Sequence, residues 1–379
     1  MYTLIDDRSI MGKEFRACVV ETLQELMKID DKVVALEADL GGASGFTKIQ
    51  KTNPDRFVQC GIAEANMMGV GAGLSIMGYK PFMHTFGPFA TRRAYDQIFL
   101  SGGYAHNTLN IYGSDPGFTA AANGGTHNTW EDIALMRAIP NAVVCDAADE
   151  VQMKWIIKEF SKLSGIHYVR ASRKAARKIY TDNSTFEIGK GNILKEGKDV
   201  LIISAGQLVS EALDCAISLE KQGISAEVID MFCIKPIDRD LILSEAKTKK
   251  LVMTLENHSI IGGLGSAVAE VIAENGIAVK FKRIGMNDRF GEVGTADWLQ
   301  KKFKLTAEDL EAEIKKLYNK MKEVLKLREK TILELRFGLN GDKPKTQSEI
   351  AQMMGISRSY VSRIETKAIG KLAQEIIEE

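Results

Sequence analysis

The stretch Phe57-Val58-Gln59-Cys60-Gly61-Ile62-Ala63-Glu64-Ala65-Asn66 decides the fold of this 379-residue chain. Residues 56–60 read as a short extended run entering a core, and Gly61 marks a tight turn. Glu64 then opens a helical segment whose small residues, Gly69, Gly71, Ala72 and Gly73, suit close backbone packing. Strand, turn and helix in this order form the repeating unit of an α/β fold. A carboxylate on the first turn of so tightly packed a helix is hard to solvate. It needs a partner with which it can share a proton.

Two later stretches carry the matching chemistry. Thr85-Phe86-Gly87-Pro88-Phe89 offers aromatic faces to a flat heterocycle, and Gly124-Gly125-Thr126-His127 offers an imidazole on a glycine-rich turn. Between and beyond them, residues 15–173 alternate helices with short apolar strands, as a parallel sheet requires. Strands are expected at 33–37, 57–60, 109–112 and 142–146, and helices at 14–28, 63–77, 92–100 and 148–163. The polar residues 177–198 read as a link. A second α/β unit then has strands at 200–204, 226–229 and 251–255 and a helix at 209–222. Its run Ile261-Gly262-Gly263-Leu264-Gly265-Ser266 opens another helix. That run lacks the third glycine of a dinucleotide fingerprint, and a tight turn beneath a helix accounts for it better.

The order of Glu64, aromatic pair and His127 resembles the pyrimidine-binding domain of transketolase, and residues 199–318, with Glu256-Asn257-His258, resemble its C-terminal domain. The resemblance implies a thiamine diphosphate enzyme that moves a two-carbon ketol unit between sugar phosphates. It implies that Glu64 hydrogen-bonds the pyrimidine N1′ and that Phe86 and Phe89 stack on the ring. His127 would touch the substrate near the reacting carbon, and Arg173 would bind substrate phosphate. Two positions depart from the full-length family: Asn123 stands where it has an acid, and Asp115 where it has a His. The family also holds the diphosphate through Mg²⁺ on a Gly-Asp-Gly motif, which this sequence lacks. No metal site is therefore expected here. The resemblance implies the C-terminal half of a split enzyme, assembled with a separate N-terminal transketolase subunit as a heterotetramer or around a homodimer core. Deoxyxylulose-phosphate synthase and the beta subunit of 2-oxoacid dehydrogenases are related alternatives, but Ala63-Glu64-Ala65-Asn66 and Gly124-Gly125-Thr126-His127 look more like transketolase.

The end of the chain reads differently. Thr346-Gln347-Ser348-Glu349 has the form of a capping box, with Ile350, Ala351 and Met354 on one apolar face. Gly355 makes a turn and Ser357 caps the next helix. Val361, Ile364 and Ala368 face inward, leaving Arg358, Ser359, Ser362 and Arg363 outward, where a recognition helix meets the major groove. Arg328-Glu329-Lys330, Leu335-Arg336-Phe337-Gly338-Leu339, Lys345-Thr346-Gln347 and residues 357–365 resemble region 4 of sigma-70-type factors, sporulation-type members above all. The resemblance implies promoter DNA and RNA polymerase as partners of residues 319–379. It also opens an alternative role for the whole chain, as a DNA-binding regulator with an inactive α/β dimer scaffold.

The expected fold class is therefore α/β, with two parallel or mixed-sheet domains of transketolase type (1–186 and 187–318) followed by a small all-α helix-turn-helix (319–379). A chain of this length has room for several cores. The balanced charge, 50 Lys and Arg against 50 Asp and Glu, and the mixed composition argue against disorder. No apolar run approaches a membrane span, and no signal pattern opens the chain, so a cytoplasmic protein is expected. The five cysteines (Cys18, Cys60, Cys145, Cys215, Cys233) are widely spaced, without a C-x-x-C pair, and support neither a disulfide framework nor a zinc site.

Overall fold

The computed structural model describes residues 1–323, 327–339 and 343–377. The chain divides into two compact units, Met1–Glu311 and Ala312–Glu379. The first unit holds two sheets. Its strands are β1 (Val33–Glu37), β2 (Phe57–Gln59), β3 (Lys80–Phe86), β4 (Leu109–Ser114), β5 (Val143–Asp146), β6 (Ile166–Ala171), β7 (Asn192–Lys195), β8 (Val200–Ser204), β9 (Ala226–Asp230), β10 (Cys233–Lys235), β11 (Leu251–Ser259) and β12 (Lys280–Met286). Seven of them form a sheet in the order β10-β5-β6-β4-β3-β1-β2, and five form a second in the order β12-β11-β8-β9-β7. All pairings are parallel except the two edge pairs β10–β5 and β7–β9.

Why these segments become strands is plain from their burial. Val33–Glu37, Leu109–Ser114, Ile166–Ala171 and Val200–Ser204 are buried at every position, so both faces of these strands are covered, and the polar side chains among them (Glu37, Asn110, His167 and Arg170) are buried with the apolar ones. Helices cover both faces. Helix Phe15–Ile29 packs on helix Glu150–Phe160, and helix Glu64–Ile76 lies along β3. Gly71 permits that last contact, because a Cβ there would stand 2.7 Å from the sulfur of Met83.

Several expectations are revised. Residues 92–100 do not form one helix: a single turn at Tyr95–Gln97 runs into a π-helical stretch, Ile98–Tyr104, tied back by Asn107. The polar stretch 177–198 is no simple link, since it contains edge strand β7, and backbone bridges join Leu4 to Tyr180 and Met11 to Arg177. β10 crosses from the second α/β region to complete the first sheet, with Cys233 opposite Cys145. The glycine run at 262–265 is filled from below by Glu256. Its Oε1 accepts the Gly265 N–H at 3.0 Å, and a Cβ on Gly263 would fall 2.2 Å from Oε2. That leaves no cradle for a pyrophosphate.

The second unit is helical. Helices Leu327–Phe337, Gln347–Met354 and Arg358–Ile377 enclose a small core of Ile332, Ile350, Ala351 and Val361. Thr346 and Glu349 form the reciprocal capping box, and Gly355 closes the helix at φ +63°.

Candidate active site and helix-turn-helix

In parallel α/β sheets, functional groups collect beyond the carboxyl ends of the strands. Here β2 leads through Gly61 (φ +69°) to Glu64, β3 ends at Phe86, β4 ends one residue before Asp115, and β6 ends two residues before Arg173. Adjacent strands thus bring together residues distant in sequence.

Glu64 sits on the first turn of its helix, where a carboxylate complements the helix dipole, and is 3% exposed. Its Oε1 accepts a hydrogen bond from Nη1 of Arg93 at 2.8 Å, and the Arg93 guanidinium lies 3.8 Å from the centre of the Phe89 ring. Phe86, Phe89 and His127 meet edge-on: ring centres are 6.2 Å apart for Phe86–Phe89, 5.4 Å for Phe86–His127 and 5.1 Å for Phe89–His127. On the far side of Phe86, the Arg173 guanidinium stands 4.7 Å from the ring centre and pairs with Asp115. All five residues singled out from the sequence, Glu64, Phe86, Phe89, His127 and Arg173, therefore share one surface.

The loop that carries His127 is held from the second α/β region. Asn257 donates from Nδ2 to the Pro116 carbonyl at 2.9 Å and accepts the Phe118 N–H at 3.1 Å. Gly117 (φ +57°) is required there, as a Cβ would come 2.0 Å from Asn257 Oδ1. Thr126 Oγ1 lies 2.8 Å from His127 Nδ1. Behind the loop, Arg170 is fully buried, paired with Asp132 at 2.7 Å and Asp146 at 2.9 Å, and donates to the Asn257 carbonyl. Burial pushes the Asp146 carboxyl up to about 6, although Arg170 pulls it back. Burial likewise raises Glu256 to about 8 and lowers His258 to about 4.

Arg93 and Asn257 were not foreseen from the sequence. The doublet Arg92-Arg93, three residues beyond Phe89, is the local signal for Arg93. Asn257 lies in the Glu256-Asn257-His258 run that carries the C-terminal-domain resemblance, but its hold on the His127 loop arises from docking between the two sheets. Among the described residues, no group of three or more His, Cys, Asp or Glu side chains converges to hold a metal ion.

Residues 12–178 match the transketolase pyrimidine-binding domain, and residues 189–310 match the transketolase C-terminal domain. The chain is 44% identical over 295 residues to a 6-deoxy-6-sulfo-D-fructose transketolase subunit of Clostridium sp. (strain MSTE9), covering 78% of this chain and 91% of that one. The chain belongs to the transketolase family. A putative transketolase C-terminal section of Methanocaldococcus jannaschii is also 44% identical, over 78% of this chain and 93% of its own length. Among solved structures, a split gene transketolase described as an inactive beta4 tetramer superposes with a TM-score of 0.75 at 40% identity, covering 80% of this chain and 98% of that one. The Leishmania mexicana transketolase, at 20% identity and TM-score 0.69, shares the fold. The chain is a transketolase-like transferase of a thiamine-dependent family. The same chain carries a match to sigma-70 region 4 over residues 323–374.

In that last segment, Arg358, Ser359 and Arg363 are exposed and Ser362 is half-buried on helix Arg358–Ile377, while Val361 and Ala368 are buried beneath them. Ser357 Oγ accepts the Tyr360 N–H, capping the helix start. Further along the same helix, Lys371 Nζ is paired with Glu329 at 2.7 Å.

Proposed function

We propose that this chain supplies the pyrimidine side of a ketol-transfer site and works with a separate N-terminal transketolase subunit. The observation that carries the reading is the buried Glu64 carboxylate beside the Phe86–Phe89–His127 cluster. These residues fit an aminopyrimidine: a carboxyl group shielded from water to meet a ring nitrogen, and aromatic faces of matching size. Thiamine diphosphate, when bound, supplies the carbon acid on which ketol transfer depends.

The chain's own residues then have distinct tasks. Glu64 holds a proton at the pyrimidine N1′, a role a neutral amide cannot take over. Phe86 and Phe89 exclude water and fix the ring plane. His127, with Nδ1 turned to Thr126, presents its other nitrogen to a substrate oxygen, and Arg173 grips the charged end of the substrate. Mg²⁺ and the diphosphate belong to the partner subunit in this reading, since no Gly-Asp-Gly motif occurs here. The names of the two 44% relatives, a subunit and a C-terminal section, support a half-enzyme, and sugar phosphates are the proposed substrates. None of the described helices is long and apolar enough to cross a membrane, and a cytoplasmic site of action is part of the proposal.

A second role is proposed for residues 319–379. The sigma-70 region 4 match and the outward Arg358, Ser359, Ser362 and Arg363 support contact with promoter DNA and RNA polymerase. Mixing the chain with its N-terminal subunit, thiamine diphosphate and Mg²⁺ tests the main reading. Transfer of a ketol unit from a ketose to an aldose is the expected result; a silent mixture would leave the α/β part as a scaffold for the DNA-binding segment.

A further inference from the structure

We propose that Asp115 is a positioning residue that aims and pre-pays the ordering of Arg173, so that the site receives a substrate ending in a tetrahedral oxyanion; this rests on the ketol-transfer reading above. Asp115 follows β4 and Arg173 lies just past β6, and these strands are paired neighbours. Asp115 is 2% exposed and adopts φ +54°, a left-handed conformation uncommon outside glycine. Its amide bonds the Ala171 carbonyl at 3.0 Å, its Oδ1 accepts the Arg173 backbone N–H at 2.8 Å, and its Oδ2 accepts the Arg173 Nε–H.

A buried carboxylate in a strained backbone persists where the surrounding structure has a use for it. Here each oxygen accepts a hydrogen bond from Arg173, and the Ser172 side chain is a further partner of the carboxyl. Burial raises the Asp115 carboxyl and Arg173 draws it back. With Nε committed and the guanidinium laid 4.7 Å over Phe86, the two terminal amino groups are left as a fork, the geometry that grips two oxygens of a phosphate or sulfonate. The Arg173 side chain remains 21% exposed, open to a ligand. Fixing a flexible arginine before the substrate arrives removes an ordering cost from binding. It adds nothing for a substrate without the charged end.

The test uses the full chain assembled with its N-terminal subunit and three ketose donors: a phosphate, a sulfonate and an uncharged sugar. The quantity read is the KM of each charged donor relative to the uncharged one. Asp115→Asn keeps an acceptor for the Arg173 N–H but removes the charge facing Nε; it should raise that ratio about five- to tenfold with kcat little changed. Arg173→Met should raise it roughly tenfold or more, and the double variant should be no worse than Arg173→Met alone. Arg173→Lys, which lacks the Nε–H, gives a second route: it too should raise the ratio, with no added effect of Asp115→Asn. The proposal is overturned if Asp115→Asn leaves the ratio unchanged, if its effect adds to that of Arg173→Met, or if charged and uncharged donors suffer alike. Should Arg173→Met leave the ratio unchanged, Arg173 does not bind the charged end and the proposal falls with it. A complex silent with every donor would instead overturn the ketol-transfer reading itself. The phosphate and sulfonate arms show which oxyanion the fork prefers.

Discussion

Glu64 and Arg93 are joined by a 2.8 Å hydrogen bond although 29 residues separate them in sequence. The carboxylate is almost wholly buried while the guanidinium is about half exposed, at 3% and 47%. The pair therefore has one member built into the fold and one able to move into solvent. A ring that docks on Glu64 can exchange with Arg93 without leaving a buried cation behind.

Replacing Glu64 by Gln should leave folding and subunit assembly intact and remove turnover. Gln still offers a hydrogen bond to N1′ but cannot share a proton with it. Proton-transfer roles of this kind are worth about 10²–10⁴ in rate. Steady-state kinetics of the assembled enzyme check this, and a rate within threefold of the wild type would exclude Glu64 from the chemistry.

Gly117→Ala should damage the site from a distance. The added Cβ meets Asn257 and forces a residue with a side chain into φ +57°. The loop carrying His127 then has to shift, at a cost of about 1–3 kcal/mol. Activity should fall more steeply than melting temperature, because the strain is local to the loop.

Glu256 sets a pH dependence. Burial raises its carboxyl from 4.5 to about 8, so the folded protein keeps it neutral across the range where the unfolded chain ionises it. The stability that it contributes is complete below about 4.5 and is lost as pH rises through about 8. Glu256→Gln mimics the neutral form at every pH. The variant should gain on the wild type between those limits by a few kcal/mol, on the order of what such a shift implies, and the gap should stop growing above about 8. Urea unfolding of both proteins across this range measures it; a gap independent of pH would contradict the raised value.

At the other end of the chain, Arg358→Ala or Arg363→Ala should each weaken binding to a −35-type duplex by about 1–3 kcal/mol and relax preference at one base position. Lys367→Ala should instead weaken all sequences alike, while Lys371→Ala should act on stability through the lost pairing with Glu329. Gel-shift titrations at fixed salt with the polymerase flap present distinguish these outcomes. An Arg358/Arg363 double variant with unchanged affinity and preference would remove the groove-reading role.

The sequence by itself determined the α/β class, the strand–turn–helix around Glu64, the aromatic pair, the His127 turn and the cap-turn-cap grammar of the last helices. Each rests on periodicity, glycine placement or a capping residue within a few positions, where local physics dominates. The tertiary structure alone decided what joins those pieces. Strands β3, β6, β7, β10 and β12 lie outside the set expected from the sequence, and the edge strands β7 and β10 are fixed by their partners, β9 and β5. Arg93 reaches Glu64, Asp115 turns to Arg173, and Asn257 holds the loop before His127 because strands distant in sequence end side by side. Those contacts come from strand order and from the docking of two sheets, which depend on burial summed over the whole unit and leave no mark on the neighbouring residues.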